Sequence, residues 1–265
     1  MPVSHRNGVD IYYEKVGRGP PLVLIHAMPF DHHVWLYQVE RFSSRFTTLA
    51  MDLRGWGASG KPRDRFSLEE MGHDVTGVLH DAGFDCGAVV MGCSVGSKIA
   101  LMLACDHPEL YRAAVLVGGN SGLQAQFDHR IAAYRAEHAA GRLPAYHLGH
   151  LRHGVTAKWA DTPTGQYLLG GFVERGAALD PESIVSVFHA VGESDLTPRL
   201  SSYGSPTLIV NGEHDNALKG GARTAGLVPQ SEHVILPDAG HCCFIEQPAA
   251  FNARVARFFT ENRLW

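Results

Sequence analysis

Short apolar runs recur along the chain, separated by longer stretches in which polar residues are frequent. Each run spans four or five residues and is mostly apolar, which is typical of strands covered on both faces of a parallel sheet. The runs are Leu22–Ile25, Phe46–Ala50, Ala88–Met91, Ala113–Val117, Thr207–Val210 and His233–Leu236. A loosely alternating stretch, Val9–Val16, precedes them, and the Asn7-Gly8 turn signal before it predicts an opening hairpin.

Helical patterns fill the intervals between these runs. Ser67-Leu68-Glu69-Glu70 has the form of a capping box and predicts a helix that begins there and continues towards Asp81. A second pattern, Val95–Cys105, follows a strand directly, and a third, Pro248–Asn262, begins with proline and carries its apolar residues on one face. Since strands and helices alternate, the sequence predicts an α/β fold with a mostly parallel central sheet and helices on both faces.

The alternation stops between about Ser121 and Ser202. This stretch is helix-like, rich in alanine, histidine and glycine, and contains no convincing strand. Because it lies between two predicted core strands, we expect residues 1–120 and 203–265 to form the core and residues 121–202 to form an inserted helical cap. The cap should cover the carboxyl edge of the sheet, where open α/β sheets bind their ligands.

Composition changes this picture mainly by exclusion. The formal net charge is −4, so the chain lacks the basic surplus that a nucleic acid backbone requires, and we expect no nucleic acid partner. No apolar run approaches the roughly 18 residues of a membrane span, and the polar N-terminus does not resemble a signal peptide, so we expect no membrane partner. Five cysteines without a CxxC pair suggest reduced thiols and a cytoplasmic location.

A candidate nucleophile lies between a predicted strand and a predicted helix. After the run Ala88–Met91 comes Gly92-Cys93-Ser94-Val95-Gly96, a G-x-S-x-G motif in the strand–turn–helix context that a nucleophile elbow requires. In such a turn the serine is strained, and the residues two before and two after it crowd each other, so both must be small. The turn lifts the hydroxyl above the sheet, at the positive end of the following helix. Ser94 is therefore the predicted nucleophile.

A serine hydroxyl is a weak nucleophile unless a base removes its proton. The chain has 16 histidines, and position selects His241, which follows the last predicted strand and precedes the C-terminal helix. The acid that orients this histidine should lie between nucleophile and base in the chain. Asp215 is the preferred candidate, because Gly212 turns the chain after a strand and a carboxylate three residues later can point back. Glu213 is the competing candidate.

The negative oxygen that develops during attack on a carbonyl group requires hydrogen-bond donors. The backbone N–H of Val95, next after the nucleophile, should be one donor, and the loop after Leu22–Ile25 should supply a second. In that loop Met28 is the predicted donor, since Pro29 has no N–H. His26, at the start of the same loop, is expected to brace it.

Several side chains are available to line a substrate pocket. The residues we expect there are Phe30, His33, Trp159 and Phe188. His33 belongs to a stretch that could line the pocket or open the next helix with Asp31 as its cap. The predicted cap also contains three histidines spaced by three residues, His147, His150 and His153. Because no cysteine or clustered carboxylate joins them, we expect no metal site there.

Together these motifs resemble the α/β-hydrolase fold superfamily over nearly the whole chain. The resemblance rests on the elbow and on His26-Ala27-Met28-Pro29, Asp52-Leu53-Arg54-Gly55-Trp56-Gly57-Ala58-Ser59, Gly212-Glu213-His214-Asp215 and Gly240-His241. Within the superfamily, the chain is most similar to small bacterial esterases and lactonases of the 3-oxoadipate enol-lactonase type. Two positions depart from the usual pattern, since Ala27 and Ser97 stand where many members have glycine.

The resemblance implies a cofactor-independent serine hydrolase that cleaves a carboxylic ester or lactone of a small molecule through an acyl-enzyme. A serine nucleophile argues against the haloalkane dehalogenase and soluble epoxide hydrolase branches, which use aspartate. Three alternatives stay open: a ligand-binding, receptor-like protein on the same scaffold, carbon–carbon bond hydrolysis, and perhydrolysis. The missing Ser-Gly-Pro-Gly oxyanion loop weighs against carbon–carbon bond hydrolysis. The sequence predicts no particular oligomeric state.

Overall fold

The chain begins with a β-hairpin. This computed structural model describes residues 2–123, 127–176 and 179–265. Strand β1 (Val3–Ser4) pairs antiparallel with strand β2 (Ile11–Gly17). The connection between them contains Asn7 and Gly8, and Gly8 has a φ of 72°, which glycine adopts without strain. The predicted opening hairpin is therefore confirmed.

Six further strands extend this hairpin into one eight-stranded sheet. They are β3 (Pro21–Ile25), β4 (Thr47–Met51), β5 (Ala88–Cys93), β6 (Tyr111–Val117), β7 (Thr207–Gly212) and β8 (Ser231–Leu236). The spatial order is β1-β2-β4-β3-β5-β6-β7-β8, and all pairs from β4 to β8 are parallel. Each predicted apolar run lies on one of these strands, except that Phe46 directly precedes β4, and the mostly parallel sheet is confirmed.

Both faces of the central strands are buried, because successive side chains of a strand point to opposite sides. In β3, Val23 and Ile25 belong to the apolar core on one face, whereas Leu22 and Leu24 belong to the core on the other. All four side chains are fully shielded from solvent. This two-sided burial explains why the runs are continuously apolar instead of alternating, and it confirms the predicted α/β fold.

Helices connect the strands and cover the sheet. The predicted capping box is present at the start of α2 (Leu68–Asp81), where the Glu70 N–H donates to Ser67 Oγ over 3.1 Å and the Ser67 N–H donates to Glu70 Oε2 over 2.8 Å. The C-terminal helix α11 (Pro248–Glu261) buries its predicted apolar face against the sheet. The other α-helices among the described residues are α1 (Leu36–Phe42), α3 (Val95–Asp106), α4 (Asp128–Ala139), α5 (Leu143–His153), α6 (Ala157–Ala160), α7 (Pro163–Gly176), α8 (Pro181–Glu193), α9 (Leu218–Leu227) and α10 (Cys243–Glu246). Short 3-10 helices span His32–Trp35 and Thr197–Ser202.

The segment predicted to be a cap lies between β6 and β7, which pair directly with each other. The chain therefore leaves the sheet after β6, forms helices α4 to α8 and returns to the adjacent strand position. The described part of residues 121–202 contains helices and no strand. Helix α8 buries Ile184 and Val187 in the same apolar core as Val23 and Ile25 of the sheet. The division into a core of residues 1–120 and 203–265 and a cap of residues 121–202 stays a proposal about chain segments.

Two further expectations from the sequence concern membrane-spanning segments and the state of the cysteines. Across the described parts of the chain, no helix has the length and apolarity needed to cross a lipid bilayer. All five cysteines are free thiols. Cys93, Cys242 and Cys243 are buried, and burial raises the pKa of each thiol, so these three groups stay protonated and fill space in the core.

Candidate active site

Ser94 occupies the sharp turn between β5, which ends at Cys93, and α3, which begins at Val95. Its φ of 54° and ψ of −113° lie outside the regions that L residues usually adopt, and its N–H donates to the Val117 carbonyl over 2.8 Å. Such a conformation costs about 1–3 kcal/mol, which the surrounding structure must offset. The strained turn predicted around Ser94 is present.

The two glycines of the motif allow this turn to pack tightly. A Cβ atom on Gly92 would lie 2.1 Å from the carbonyl oxygen of Gly96. A Cβ atom on Gly96 would lie 2.2 Å from the carbonyl oxygen of Ile25. Both distances are far shorter than a van der Waals contact, so the spacing of glycines on either side of Ser94 is a steric requirement of the elbow.

His241 and Asp215 lie on two loops that meet at the carboxyl edge of the sheet. The Nδ1 atom of His241 is 2.7 Å from Oδ1 of Asp215. Gly212 allows the loops to approach, because a Cβ atom there would lie 2.2 Å from the carbonyl oxygens of both Ala239 and Gly240. Close approach of two loops, and not only a turn after β7, is therefore what requires glycine at this position.

The carboxylate of Asp215 is buried and surrounded by donors. Its Oδ1 also accepts a hydrogen bond from the Ala217 N–H over 2.8 Å, and its Oδ2 accepts from Asn211 Nδ2 over 2.6 Å. Burial alone would raise the pKa of this carboxyl group, but the hydrogen bond and charge of His241, with the two other donors, hold the pKa below its ordinary value. Asp215 is therefore ionised and can keep a proton on Nδ1 of His241.

Glu213, the competing acid, faces a different direction. Its side chain is exposed, and its Oε2 accepts a hydrogen bond from the Asp238 N–H over 3.1 Å. The imidazole of His241 instead pairs with Asp215. The geometry thus favours Asp215 over Glu213 as the partner of the histidine.

A cavity of about 400 Å³ lies over this edge of the sheet. Its wall includes Ser94 and His241, and it also includes Met28 and Val95, the residues whose N–H groups are the predicted oxyanion donors. Asp215 pairs with His241 but is not among the residues described in the wall. The structure therefore brings a strained serine, a histidine paired with a carboxylate and both predicted donor residues to one cavity.

The loop that carries Met28 is braced by His26. Nε2 of the fully buried His26 accepts a hydrogen bond from the Leu53 N–H over 2.9 Å, and its Nδ1 lies 3.0 Å from the Ala27 carbonyl oxygen. Burial lowers the pKa of His26, so the ring is neutral and can donate at one nitrogen while accepting at the other. Ala27 is not among the described residues with a left-handed φ, so its backbone conformation does not require glycine.

The comparisons with known proteins agree with this geometry. The sequence profile of a family described as alpha/beta hydrolase fold matches residues 20–248, a range that includes Ser94, Asp215 and His241. The chain belongs to the α/β-hydrolase fold family. The predicted resemblance to that superfamily is thereby confirmed.

Relatives of this α/β hydrolase have different named substrates. It is 25% identical to 2-(acetamidomethylene)succinate hydrolase from Mesorhizobium japonicum, with 88% of this chain and 85% of the relative covered. It is 24% identical to 3-oxoadipate enol-lactonase 2 from Acinetobacter baylyi, with 96% and 97% covered. The crystal structure of an enol-lactonase from Burkholderia xenovorans LB400 superposes with a TM-score of 0.90 at 24% identity, covering 98% of this chain and 100% of that one, which shows the shared fold.

The predicted pocket residues need correction at three of four positions. Phe188 lies in the cavity wall of the hydrolase, whereas Phe30, His33 and Trp159 are not among the described wall residues. Phe30 is buried and packs edge-on against Phe172, with 4.8 Å between ring centroids. Trp159 packs against the apolar cluster that contains Leu22 and Leu24, whereas Phe188 belongs to the other apolar cluster.

His33 lies outside the cavity because Asp31 turns the chain into a helix. The Asp31 carboxylate accepts a hydrogen bond from the His33 N–H over 3.0 Å and caps the 3-10 helix His32–Trp35. The ring of His33 is more than half exposed and folds back to the same carboxylate over 3.1 Å. Of the two interpretations of this stretch, the helix cap is correct.

The cavity wall also contains basic residues that the sequence did not single out as binding residues. They are Lys98, Arg130, His150 and His153. Lys98 lies in the first turn of α3, which begins directly after Ser94, and this closeness in the chain could have identified it. No comparable signal in the sequence identifies Arg130 as a wall residue, because its place in the wall depends on how α4 packs.

Two clusters of metal-ligand types occur among the described residues. Each has ligand atoms within 4.8 Å of one another, and they are Asp31-His32-His33 and Glu213-His214-Asp238. In the first, both imidazoles already pair with carboxylates, and in the second all three residues are exposed. Neither cluster lines the cavity that contains Ser94.

Proposed function

We propose that this α/β hydrolase is a serine hydrolase that cleaves a carboxylic ester or lactone of a small molecule through an acyl-enzyme. One observation carries the proposal: the strained Ser94 and the imidazole of His241 share a cavity wall, and Nδ1 of that imidazole lies 2.7 Å from the buried Asp215 carboxylate. This is the arrangement of a nucleophile, a general base and an orienting acid.

The chemistry would follow from this arrangement. Asp215 holds the proton on Nδ1 of His241, so Nε2 accepts the hydroxyl proton as Ser94 Oγ attacks the carbonyl carbon. The N–H groups of Met28 and Val95 stabilise the negative oxygen of the tetrahedral intermediate. Protonated His241 then donates its proton to the leaving alkoxide, and the acyl-enzyme forms. In the second half of the reaction, His241 activates a water molecule that releases the acid and restores Ser94.

The size of the site and the relatives support an ester or lactone of low molecular weight. A space of about 400 Å³ suits a small molecule, and no cofactor is needed for this reaction. A relative that covers almost the whole chain is a 3-oxoadipate enol-lactonase. Retention of the serine, histidine and aspartate in one arrangement supports an enzyme over a receptor-like binding protein, in which the triad would have no use.

Covalent labelling tests the proposal most directly. We expect a fluorophosphonate probe to label Ser94, and Ser94→Ala to abolish labelling and lower kcat on p-nitrophenyl butyrate by roughly 10³-fold or more. Ser97→Ala is the matched control on the same helix, since its buried hydroxyl has no hydrogen-bond partner among the described residues. Near-normal turnover by a folded Ser94→Ala protein, or the absence of labelling in the wild type, would overturn the assignment.

A further inference from the structure

The ionisable residues in the wall of the catalytic cavity are all basic types. Lys98, Arg130, His150, His153 and His241 line it, and no aspartate or glutamate is among the described wall residues. The chain as a whole has more acidic than basic residues, 27 against 23. The charge of the wall therefore differs from that of the chain as a whole, and its basic residues suit an anionic ligand.

Arg130 is the group in this wall whose charge is available to a ligand. Its guanidinium lies 5.4 Å from the ring centroid of Phe127, and no described carboxylate pairs with it. Two arginines nearby in the chain are paired: Arg135, also on α4, lies 3.0 Å from Glu182, and Arg142 lies 2.8 Å from Glu137. Arg130 therefore carries unpaired donors at the cavity wall, in a planar arrangement that matches a carboxylate.

Lys98 contributes positive charge but its donors are already used. Its Nζ donates to the carbonyl oxygens of Gly122 and Val191, each over 3.0 Å. The second of these hydrogen bonds connects α3 to the last turn of α8. Burial lowers its pKa to about 8, with the charge of Asp195 acting in the opposite direction, so the ammonium group is mostly protonated at neutral pH. Lys98 thus adds to the positive potential of the cavity without being the group that contacts the ligand.

His150 lies in the same cavity wall as Arg130 and His241. His150 is an exposed residue, and partial desolvation of its ring at the cavity wall, together with the positive charges of Arg130 and His241, lowers its pKa. At neutral pH the ring is therefore uncharged and can donate one hydrogen bond. Since Arg130, His150 and His241 line one cavity, a ligand group at Arg130 lies within the same small cavity as the reacting bond.

We propose that the natural substrate is an ester or lactone that also carries a free carboxylate, and that Arg130 binds this carboxylate. The proposal rests on the function proposed above and names the substrate class for that same site. Arg130 would act as a specificity-determining residue: it anchors the end of the molecule that does not react and leaves the ester bond at Ser94.

Paired substrates of equal length test this specificity. The first pair is p-nitrophenyl hydrogen glutarate and neutral p-nitrophenyl pentanoate. The second pair is 4-carboxyphenyl butyrate and neutral 4-methylphenyl butyrate, and here the charged ester carries its carboxylate on the leaving group. In at least one pair, Arg130→Gln should lower kcat/KM of the charged ester by about tenfold or more, mainly through KM. Turnover of the neutral ester should stay within about twofold.

Arg135→Gln is the matched control, because it removes an arginine from the same helix at a position outside the described wall. It should leave both esters unaffected, and Arg130→Lys should restore part of the preference for the charged ester. If Arg130→Gln lowered kcat/KM equally for the charged and the neutral ester in both pairs, or lowered it for neither ester, the role of Arg130 would be overturned.

Direct binding separates this proposal from the catalytic one. Calorimetric titration of the Ser94→Ala protein with monomethyl glutarate and with methyl pentanoate measures recognition without turnover. Tighter binding of the charged ester, lost in Ser94→Ala/Arg130→Gln, supports the proposal even if another residue proves to be the nucleophile. Equal binding of the two esters contradicts it even if Ser94 proves to be catalytic.

Discussion

Gly118 lies directly against the imidazole of His241. A Cβ atom on Gly118 would be 2.4 Å from Cε1 and 2.6 Å from Nδ1 of that ring. Gly118 follows β6 with a φ of 60°, and its N–H donates to the Val210 carbonyl of the neighbouring strand over 3.0 Å. The end of β6 therefore forms a rigid surface that limits where the histidine ring can lie.

Gly118→Ala is expected to displace the imidazole of His241. A methyl group at this position overlaps the ring, and a displacement of about 1 Å can lower turnover by roughly 100-fold. Steady-state kinetics with p-nitrophenyl butyrate measures the effect on kcat.

Gly141→Ala is the control for backbone strain. Gly141 has a similar φ of 69°, but a Cβ atom there meets no other atom within 4 Å. Both variants should lose about 1–2 kcal/mol of stability from the left-handed conformation, and only the variant at position 118 should lose activity. Equal activity in the two alanine variants would show that Gly118 does not position the ring.

Asp215→Asn tests the choice of acid. An amide in place of the carboxylate can no longer stabilise the protonated imidazole, and it favours the wrong tautomer of His241, so kcat should fall by about 10³–10⁴-fold. Glu213→Gln, two residues away and exposed, should change kcat by no more than about twofold. The opposite ranking of these two variants would make Glu213 the acid.

His32 and Asp52 form a buried pair whose contribution to stability depends on pH. Nδ1 of His32 lies 2.7 Å from Oδ1 of Asp52, and the side chain of Asp52 is fully buried. Burial alone would lower the pKa of His32, but the hydrogen bond and charge of Asp52, with the charges of Asp31 and Glu14, raise it. The folded state therefore binds the proton more tightly than the unfolded state does.

Because the folded pKa of His32 is raised, its stabilising effect is complete below the ordinary histidine pKa of about 6.5 and is lost as the pH rises through the folded value. We expect the Tm difference between wild type and His32→Asn to be largest near pH 6 and to shrink towards about pH 9. Thermal unfolding of both proteins across this range measures it. A difference that is constant or grows with pH would contradict the raised pKa.

Ala27→Gly tests the departure from the family pattern in the oxyanion loop. Ala27 is buried and has no left-handed φ, so glycine offers no conformational gain. The variant should lose about 1 kcal/mol of stability through the more flexible unfolded chain and the lost methyl group. Its kcat/KM should stay within about twofold of the wild type, and a clear increase would show that alanine constrains the loop.

The features that were predicted correctly from the sequence depend on burial patterns and contacts within short segments of the chain. Two-sided burial requires continuous apolar runs, and these predicted the central strands, including β3 and β5. The elbow was equally predictable, since Gly92 and Gly96 must be glycine for reasons of backbone contact within a few residues of Ser94. The capping box at Ser67 belongs to the same class, because both of its hydrogen bonds lie within one helical turn.

The tertiary structure decided the questions that depend on contacts between distant segments. It favoured Asp215 over Glu213 because the loops after β7 and β8 meet at Gly212. It placed Arg130 of α4 in the described cavity wall, since packing between helices sets which face of a helix turns towards the site. It left Phe30 outside that wall, because this ring packs against Phe172. Local pattern alone determines that a residue is helical and amphipathic, and only the packing of the whole chain determines what that residue faces.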